Sequence, residues 1–211
     1  MYGVKLDLVM AELSLDRQAT QPNKSARERL LDAAYELFTR HGVRKIGVDT
    51  VLERSGCAKA SLYRAFDSKV DLAIAVLDMR EQLWTRDWLE SEIKSRHEDP
   101  QARLLAIFDV FDGWFRTHDF EGCSFINVLL ESDKDSAMRE AAALHLKKIR
   151  AILHDLAVEA GLADPDQFAQ AWHMLMKGSI VAAGEGNQNA AHEAQRAAKL
   201  VLDGWPRRAD A

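Results

Sequence analysis

The strongest constraint on this chain is the spacing of its apolar residues. From Leu30 to Trp205 they recur three and four positions apart, in segments closed by capping residues, glycines or Asp-Pro pairs. That period places one apolar stripe along each helix, and no stretch sustains the two-residue alternation of a half-buried strand. Ser25 with Glu28 forms a capping box ahead of Leu30, Ala34, Leu37 and Phe38, and Gly42 closes that helix. Short segments follow at Val48–Ser55 and from about Lys59 to Phe66, separated by Gly56. Ser68 and Asp71 open a longer helix carrying Leu72, Val76, Met79 and Leu83. Asp99-Pro100 starts the next, with Leu104, Ile107, Phe108, Phe111, Trp114 and Phe115. A short apolar helix is predicted at Cys123–Glu131 and a long one at Ser136–Ala160. Asp164-Pro165 starts a helix that ends near Ala183, and the last spans about Gln188–Gly204. The expected fold is all-α with about nine helices. Residues 1–23 show no sustained period and are expected to form a flexible tail.

Composition excludes several classes. Stretches without charge, such as Gly178–Gly184, fall far short of the ~20 apolar residues of a membrane span. Lys5, Asp7 and Glu12 interrupt any signal-peptide core at the N terminus. Two isolated cysteines, Cys57 and Cys123, make no disulfide framework, which points to a reducing cytoplasm. Both are read as packing residues. There is no HExxH, no Cys-x-x-Cys, no Gly-rich phosphate loop and no G-x-S-x-G. No catalytic residues, metal or cofactor are therefore expected, and the chain is not read as an enzyme.

Charge is unevenly spread. Residues 24–70 hold ten Lys/Arg against six Asp/Glu, a balance of +4, so with a total of −5 the remainder carries −9. A basic first quarter on an acidic body points to a polyanionic partner for that quarter. It also contains the two short helices around Ser55-Gly56-Cys57-Ala58, a helix-turn-helix pattern. The second of them is too short and too polar outside Leu62 and Phe66 to exist for core burial alone. Its other positions hold Lys59, Ser61, Tyr63 and Arg64, whose donors suit phosphate oxygens and base edges. Lys69 lies in the first turn of the following helix, where free amides also favour phosphate.

The run from Ala26 to Phe38, then Gly42, then Leu62-Tyr63-x-x-Phe66-x-Ser68-Lys69-x-x-Leu72 after Gly56, resembles the TetR family of transcriptional regulators. The resemblance covers about 47 residues. It implies a DNA-binding part at 24–70 and a ligand-binding and dimerisation part at 71–211. It further implies a homodimer on a pseudo-palindromic operator in double-stranded DNA, in most members a repressor. The positions matching family backbone contacts are Lys59, Tyr63 and Lys69, and those matching variable sequence-reading contacts are Ser61 and Arg64. Some positions depart from the pattern. Ile46, Gly47 and Val48 stand where a Thr or Ser usually begins the first short helix, leaving Thr50 as the nearest hydroxyl. Ala58 replaces the usual Ser cap, a loss of about 1 kcal/mol. Ala60 stands where a Gly is usual, and Ala65 where an aromatic or His is often found.

Two further sets complete the expectations. Trp84, Trp88, Phe108, Phe111, Trp114, Phe115, Phe125 and Trp172 could line a cavity for a small apolar effector, with His118, Asn127, His145 and His173 as polar groups. Phe168, Ala171, Trp172, Leu175, Ser179, Ile180 and Ala183 form one stripe of the final helix pair; Ala191, Ala194, Ala198, Val201 and Trp205 form the other. Small residues on both allow close helix approach, and the resemblance implies that this pair is the dimer interface. Two rival classes are a small helical enzyme and a helical adaptor that binds protein. The first lacks clustered acid–base or metal residues; the second leaves Lys59, Tyr63 and Lys69 around the turn unexplained.

Overall fold

The first helix begins where its cap chemistry requires. In the computed structural model, which describes residues 24–118 and 120–208, the Ser25 hydroxyl accepts the Glu28 amide at 3.3 Å and the Glu28 carboxylate accepts the Ser25 amide at 2.8 Å. The Ser25 hydroxyl also donates to the Glu28 carboxylate at 2.8 Å, and that bond first, then the one from the Ser25 amide, holds the Glu28 carboxyl below its ordinary pKa. Helix α1 (Ala26–His41) buries Leu30, Ala33, Ala34 and Phe38. The tail expected over 1–23 lies outside the described residues.

Helices α2 (Val48–Ser55), α3 (Lys59–Ala65) and the first stretch of α4 (Lys69–Arg96) all pack on α1. Helix α4 begins at Lys69–Arg80, capped by Ser68, whose hydroxyl accepts the Asp71 amide at 3.1 Å. It then passes through a π-wound stretch, Glu81–Glu90, into a final α-helical turn and a half, Ser91–Arg96. Glu81 and Glu90 keep right-handed helical backbone, so the three stretches form one continuous helix. Then come α5 (Pro100–Phe115), α6 (Ser124–Glu131), α7 (Ala137–Glu159), α8 (Pro165–Gly184) and α9 (Ala190–Gly204). Counted this way, nine helices stand among the described residues, and the only β pairing there is an isolated bridge between Leu162 and Arg207. The fold is all-α, as the spacing of apolar residues requires.

The described residues divide into two compact units. The first comprises 24–82 and 123–145. The boundary expected after residue 70 falls inside this unit, because α4 runs on without a break and buries Leu72, Ala73, Val76 and Leu77. Within it, Phe125 of α6 stacks on His145 of α7 at 4.9 Å, and His145 Nε2 lies 3.3 Å from Asp78 Oδ1 of α4. Arg44, after α1, donates to the Glu131 carbonyl at 3.1 Å.

The second unit comprises 83–122 and 146–208. Asp99 caps α5 by accepting the Ala102 amide at 2.9 Å, with Pro100 at the first helical position. Helix α9 packs on α8 and α5, around Leu104, Ile107, Phe108, Phe111, Phe168 and Trp172. Asp164 takes left-handed backbone (φ 46°) and makes no side-chain cap, so α8 starts on Pro165 alone. After α9 the chain folds back: the Trp205 indole donates to the Ala163 carbonyl at 2.7 Å and meets Phe168 edge-on. No helix among the described residues is long and apolar enough to cross a membrane.

Candidate nucleic-acid interface

A seven-residue helix does not hold its shape alone in water. Helix α3 is held by Leu62, fully buried, and by Phe66 just beyond it. Burying a Leu or Phe side chain contributes about 1.5–3 kcal/mol each. The Arg27 guanidinium of α1 lies over the Phe66 ring, 4.9 Å from its centre. The turn between α2 and α3 depends on Gly56, whose φ of 63° and ψ of 25° are left-handed. Cys57 follows, buried, with its thiol directed at the carbonyls of Ala26 and Ser55. As expected, Ala58 gives α3 no side-chain cap.

Fixing Leu62 inward turns the rest of α3 outward. Lys59, Tyr63 and Arg64 are exposed, Tyr63 to 50 % of its surface; Thr50 on α2 is exposed, and Ser61 and Lys69 are half-buried. An aromatic ring left half in water on a short, fixed helix is a surface for a partner. The ion pairing of this unit points the same way. Lys24 pairs with Asp32 at 2.9 Å, and Arg54 grips Glu36 at 2.6 Å. Among the described residues, Lys59, Arg64 and Lys69 have no ion pair. Lys24 and Arg54 are thus paired within the unit, while Lys59, Arg64 and Lys69, around α3, are not. Arg54 and Arg27 illustrate what net charge alone conceals, since both belong to the scaffold.

The aromatic set divides. Trp84, Trp88, Phe108, Phe111, Trp114, Phe115 and Trp172 all lie in the second unit, joined by ring contacts. Trp84 meets Trp114 at 5.0 Å and Phe111 at 6.2 Å; Phe108 meets Phe111 at 6.3 Å and Trp172 at 5.7 Å. Phe120, at 4.9 Å from Trp114, joins the same set and was not anticipated. Phe125 does not join: it lies in the other unit, stacked on His145, because α6 folds with α4 and the first part of α7. His118 and Asn127 are exposed. His173 is buried on α8, and its pKa falls to about 3, first through burial and then through the nearby charges of Lys177 and Arg150.

The stripe expected to pair two chains is turned largely inward. Phe168, Trp172, Ser179, Ile180, Ala191 and Ala198 are buried within the second unit, whereas Leu175, Ala194 and Val201 are half-buried. The reason is that α8 and α9 pack on α5 and on each other, and this stripe supplies that contact. The same helices leave other large apolar side chains in water: Met174 is 65 % exposed, Val181 52 % and Leu200 76 %. Met174 and Val181 stand seven positions apart on α8, one face of a helix, whereas Leu200 shares its face of α9 with Glu193, Arg196 and Asp203.

An all-α chain with an exposed basic helix-turn-helix has the architecture of helical DNA-binding proteins. The chain matches the family described as bacterial regulatory proteins, tetR family, over residues 30–76, and the tetracyclin repressor-like C-terminal domain over residues 100–198. It is 31% identical over 135 residues to the uncharacterized HTH-type transcriptional regulator TtgW of Pseudomonas putida, covering 64% of this chain and 92% of that one. It is 30% identical over 105 residues to the HTH-type transcriptional activator FasR of Mycolicibacterium smegmatis, covering 50% of this chain and 47% of FasR. For some curated relatives, FasR among them, the match spans only about half of their length. In fold it is similar to a TetR-family transcriptional regulator from Streptomyces coelicolor, with a TM-score of 0.77, 24% identity and coverage of 90% of this chain and 94% of that one. The chain belongs to the TetR family.

Proposed function

We propose that the chain is a homodimeric repressor, released from a pseudo-palindromic operator by a small apolar effector. The observation that carries this reading is the α3 surface, where Lys59, Tyr63 and Arg64 are exposed and the cations have no internal partner. Lys59, Tyr63 and Lys69 are assigned to the phosphate backbone, Ser61 and Arg64 to base edges, and Thr50 to a phosphate beside α2. Two such helices, one per chain, enter successive major grooves on one face of the duplex. The face carrying Met174, Val181 and Leu200 is assigned to the second copy, because exposed large apolar side chains on neighbouring helices bury well against their own image in a two-fold contact. Effector held in the second unit favours a dimer whose recognition helices no longer match both half-sites. By linkage, DNA and effector then oppose each other.

The likeness to FasR, an HTH-type transcriptional activator, supports a second reading, an activator. A transcriptional reporter on DNA upstream of the chain's own gene separates the two. Deleting the regulator raises expression under the first reading and lowers it under the second. Unchanged expression, together with no protected palindrome in that DNA at low salt, counts against local regulation of either kind.

A further inference from the structure

We propose that the second unit holds a binding site for a small oxyanion, a carboxylate or a phosphate group, at the seam of α7 and α8, where the His173 imidazole donates to it and Arg150 and Lys177 supply opposite charge. The site adds to the effector reading above and does not depend on it. His173 is 3 % exposed, and its Nδ1 has no hydrogen-bond partner. Buried polar atoms are ordinarily paired, so an orphan calls for a partner from outside the chain. Thr85 Oγ1 and Trp172 Nε1 are buried without a partner as well. Trp172 packs against Phe108 and Phe168, and His173, one residue on, stands about 100° further round the helix. The charges acting on His173 are those of Lys177 and Arg150, both positive.

Helix register brings these groups to one seam. Helices α7 and α8 are joined by residues 160–164, and His154 Nε2 of α7 lies 4.0 Å from Asp166 Oδ1 of α8. Arg150 stands four residues before His154, and His173 and Lys177 stand seven and eleven after Asp166. Those spacings keep each group on the contacting side of its helix. Arg150 and Lys177 are half-buried, and Arg150 has no ion pair among the described residues. Asp155 and Asp166, the carboxylates at the far end of the seam, both meet His154 instead. Burial first, then the two cations, lowers the His173 pKa to about 3, so the ring is neutral at physiological pH. A neutral imidazole still donates from one nitrogen. A buried donor beside two cations suits an oxyanion, whose charge offsets theirs and strengthens the hydrogen bond. An uncharged or cationic ligand leaves the like charges uncompensated.

The test is nitrogen NMR of the histidine rings in the full chain near neutral pH. Acetate or inorganic phosphate is exchanged for potassium chloride at constant ionic strength, and the His173 signals are identified by their loss in His173→Gln. At least one of the two anions should shift the His173 nitrogens saturably, with Nδ1 carrying the proton in the complex. Saturation by acetate alone assigns a carboxylate ligand, by phosphate alone a phosphate ester, and by both the shared oxyanion chemistry. Arg150→Gln and Lys177→Gln should each weaken that anion about tenfold. Unchanged signals from the other histidines show that a variant is folded. The proposal is overturned if neither anion saturates, if Nδ1 lacks the proton in the saturated complex, or if either variant binds the anion as the parent does. Operator binding is not part of the readout, so failure of the release mechanism leaves this result unaffected.

Discussion

At the scale of single residues, the charges around α3 divide by what they can touch. A lysine on a phosphate adds affinity for any duplex, because it displaces a condensed counterion. Lys59→Ala and Lys69→Ala are each expected to weaken binding about equally on all sequences and to lower the salt slope by about one. Arg64→Ala is expected instead to relax one operator position, at a cost of about 1–3 kcal/mol against the preferred base. Selection from a randomised duplex pool at two salt concentrations reads both effects. The same motif from parent and Arg64 variant refutes the assignment.

His173 supplies a different residue-scale prediction. Its folded pKa of about 3 lies below the ordinary value of 6.5. The unfolded chain therefore takes up a proton that the folded chain refuses as the pH falls below 6.5. The stability held above 6.5 is lost progressively towards pH 3. Between pH 7 and pH 5 this one group should lower stability by about 2 kcal/mol. Urea unfolding of His173→Gln should lose that part of the pH dependence, whatever its absolute stability; an unchanged slope would assign it to other groups.

At the scale of elements, cap chemistry was legible and packing direction was not. Ser25 with Glu28, Ser68 with Asp71, and Asp99 with Pro100 mark helix starts by local hydrogen bonds, which sequence alone specifies. The outward face of α3 was equally legible, since Leu62 and Phe66 leave the helix no other orientation. The π-wound stretch was missed, although Leu83, Trp84 and Thr85 are three consecutive buried residues, too wide a run for one α-helical stripe. On α8 and α9, Phe168, Trp172, Ser179, Ile180, Ala191 and Ala198 of the expected pairing stripe are buried in the chain's own unit, while Leu175, Ala194 and Val201 are half-buried. Periodicity shows an apolar row but cannot say whether it meets the chain's own core or a second copy. The expected placement of Phe125 with the other aromatics failed because sequence order hides that α6 folds into the first unit.

The turn before α3 gives the test at this scale. Gly56 has left-handed backbone, and a Cβ built there meets no other atom within 4 Å. Gly56→Ala should therefore cost only backbone strain, about 1–2 kcal/mol of stability. Thermal unfolding with and without operator DNA checks this. A neutral substitution would mean that the turn does not require the left-handed conformation.

At the scale of the whole molecule, the account requires two copies. Leu200 and Val181 are exposed on neighbouring helices, where charge should disrupt association without disturbing the core. Leu200→Glu with Val181→Glu should give a folded monomer by sedimentation, with operator affinity reduced about a hundredfold or more through loss of the second half-site. A variant that remains dimeric would place the contact elsewhere.

Hydroxyl-radical footprinting of the purified chain on DNA selected from its own genome addresses both the recognition surface and the pairing. The predicted pattern is two protected half-sites about 10 bp apart, or a multiple of that spacing, on one face of the duplex. Both should be lost together in a Lys59→Ala, Tyr63→Ala variant. A single protected patch, or a footprint that survives that substitution, would contradict the claim that α3, presented twice, is what reads the DNA.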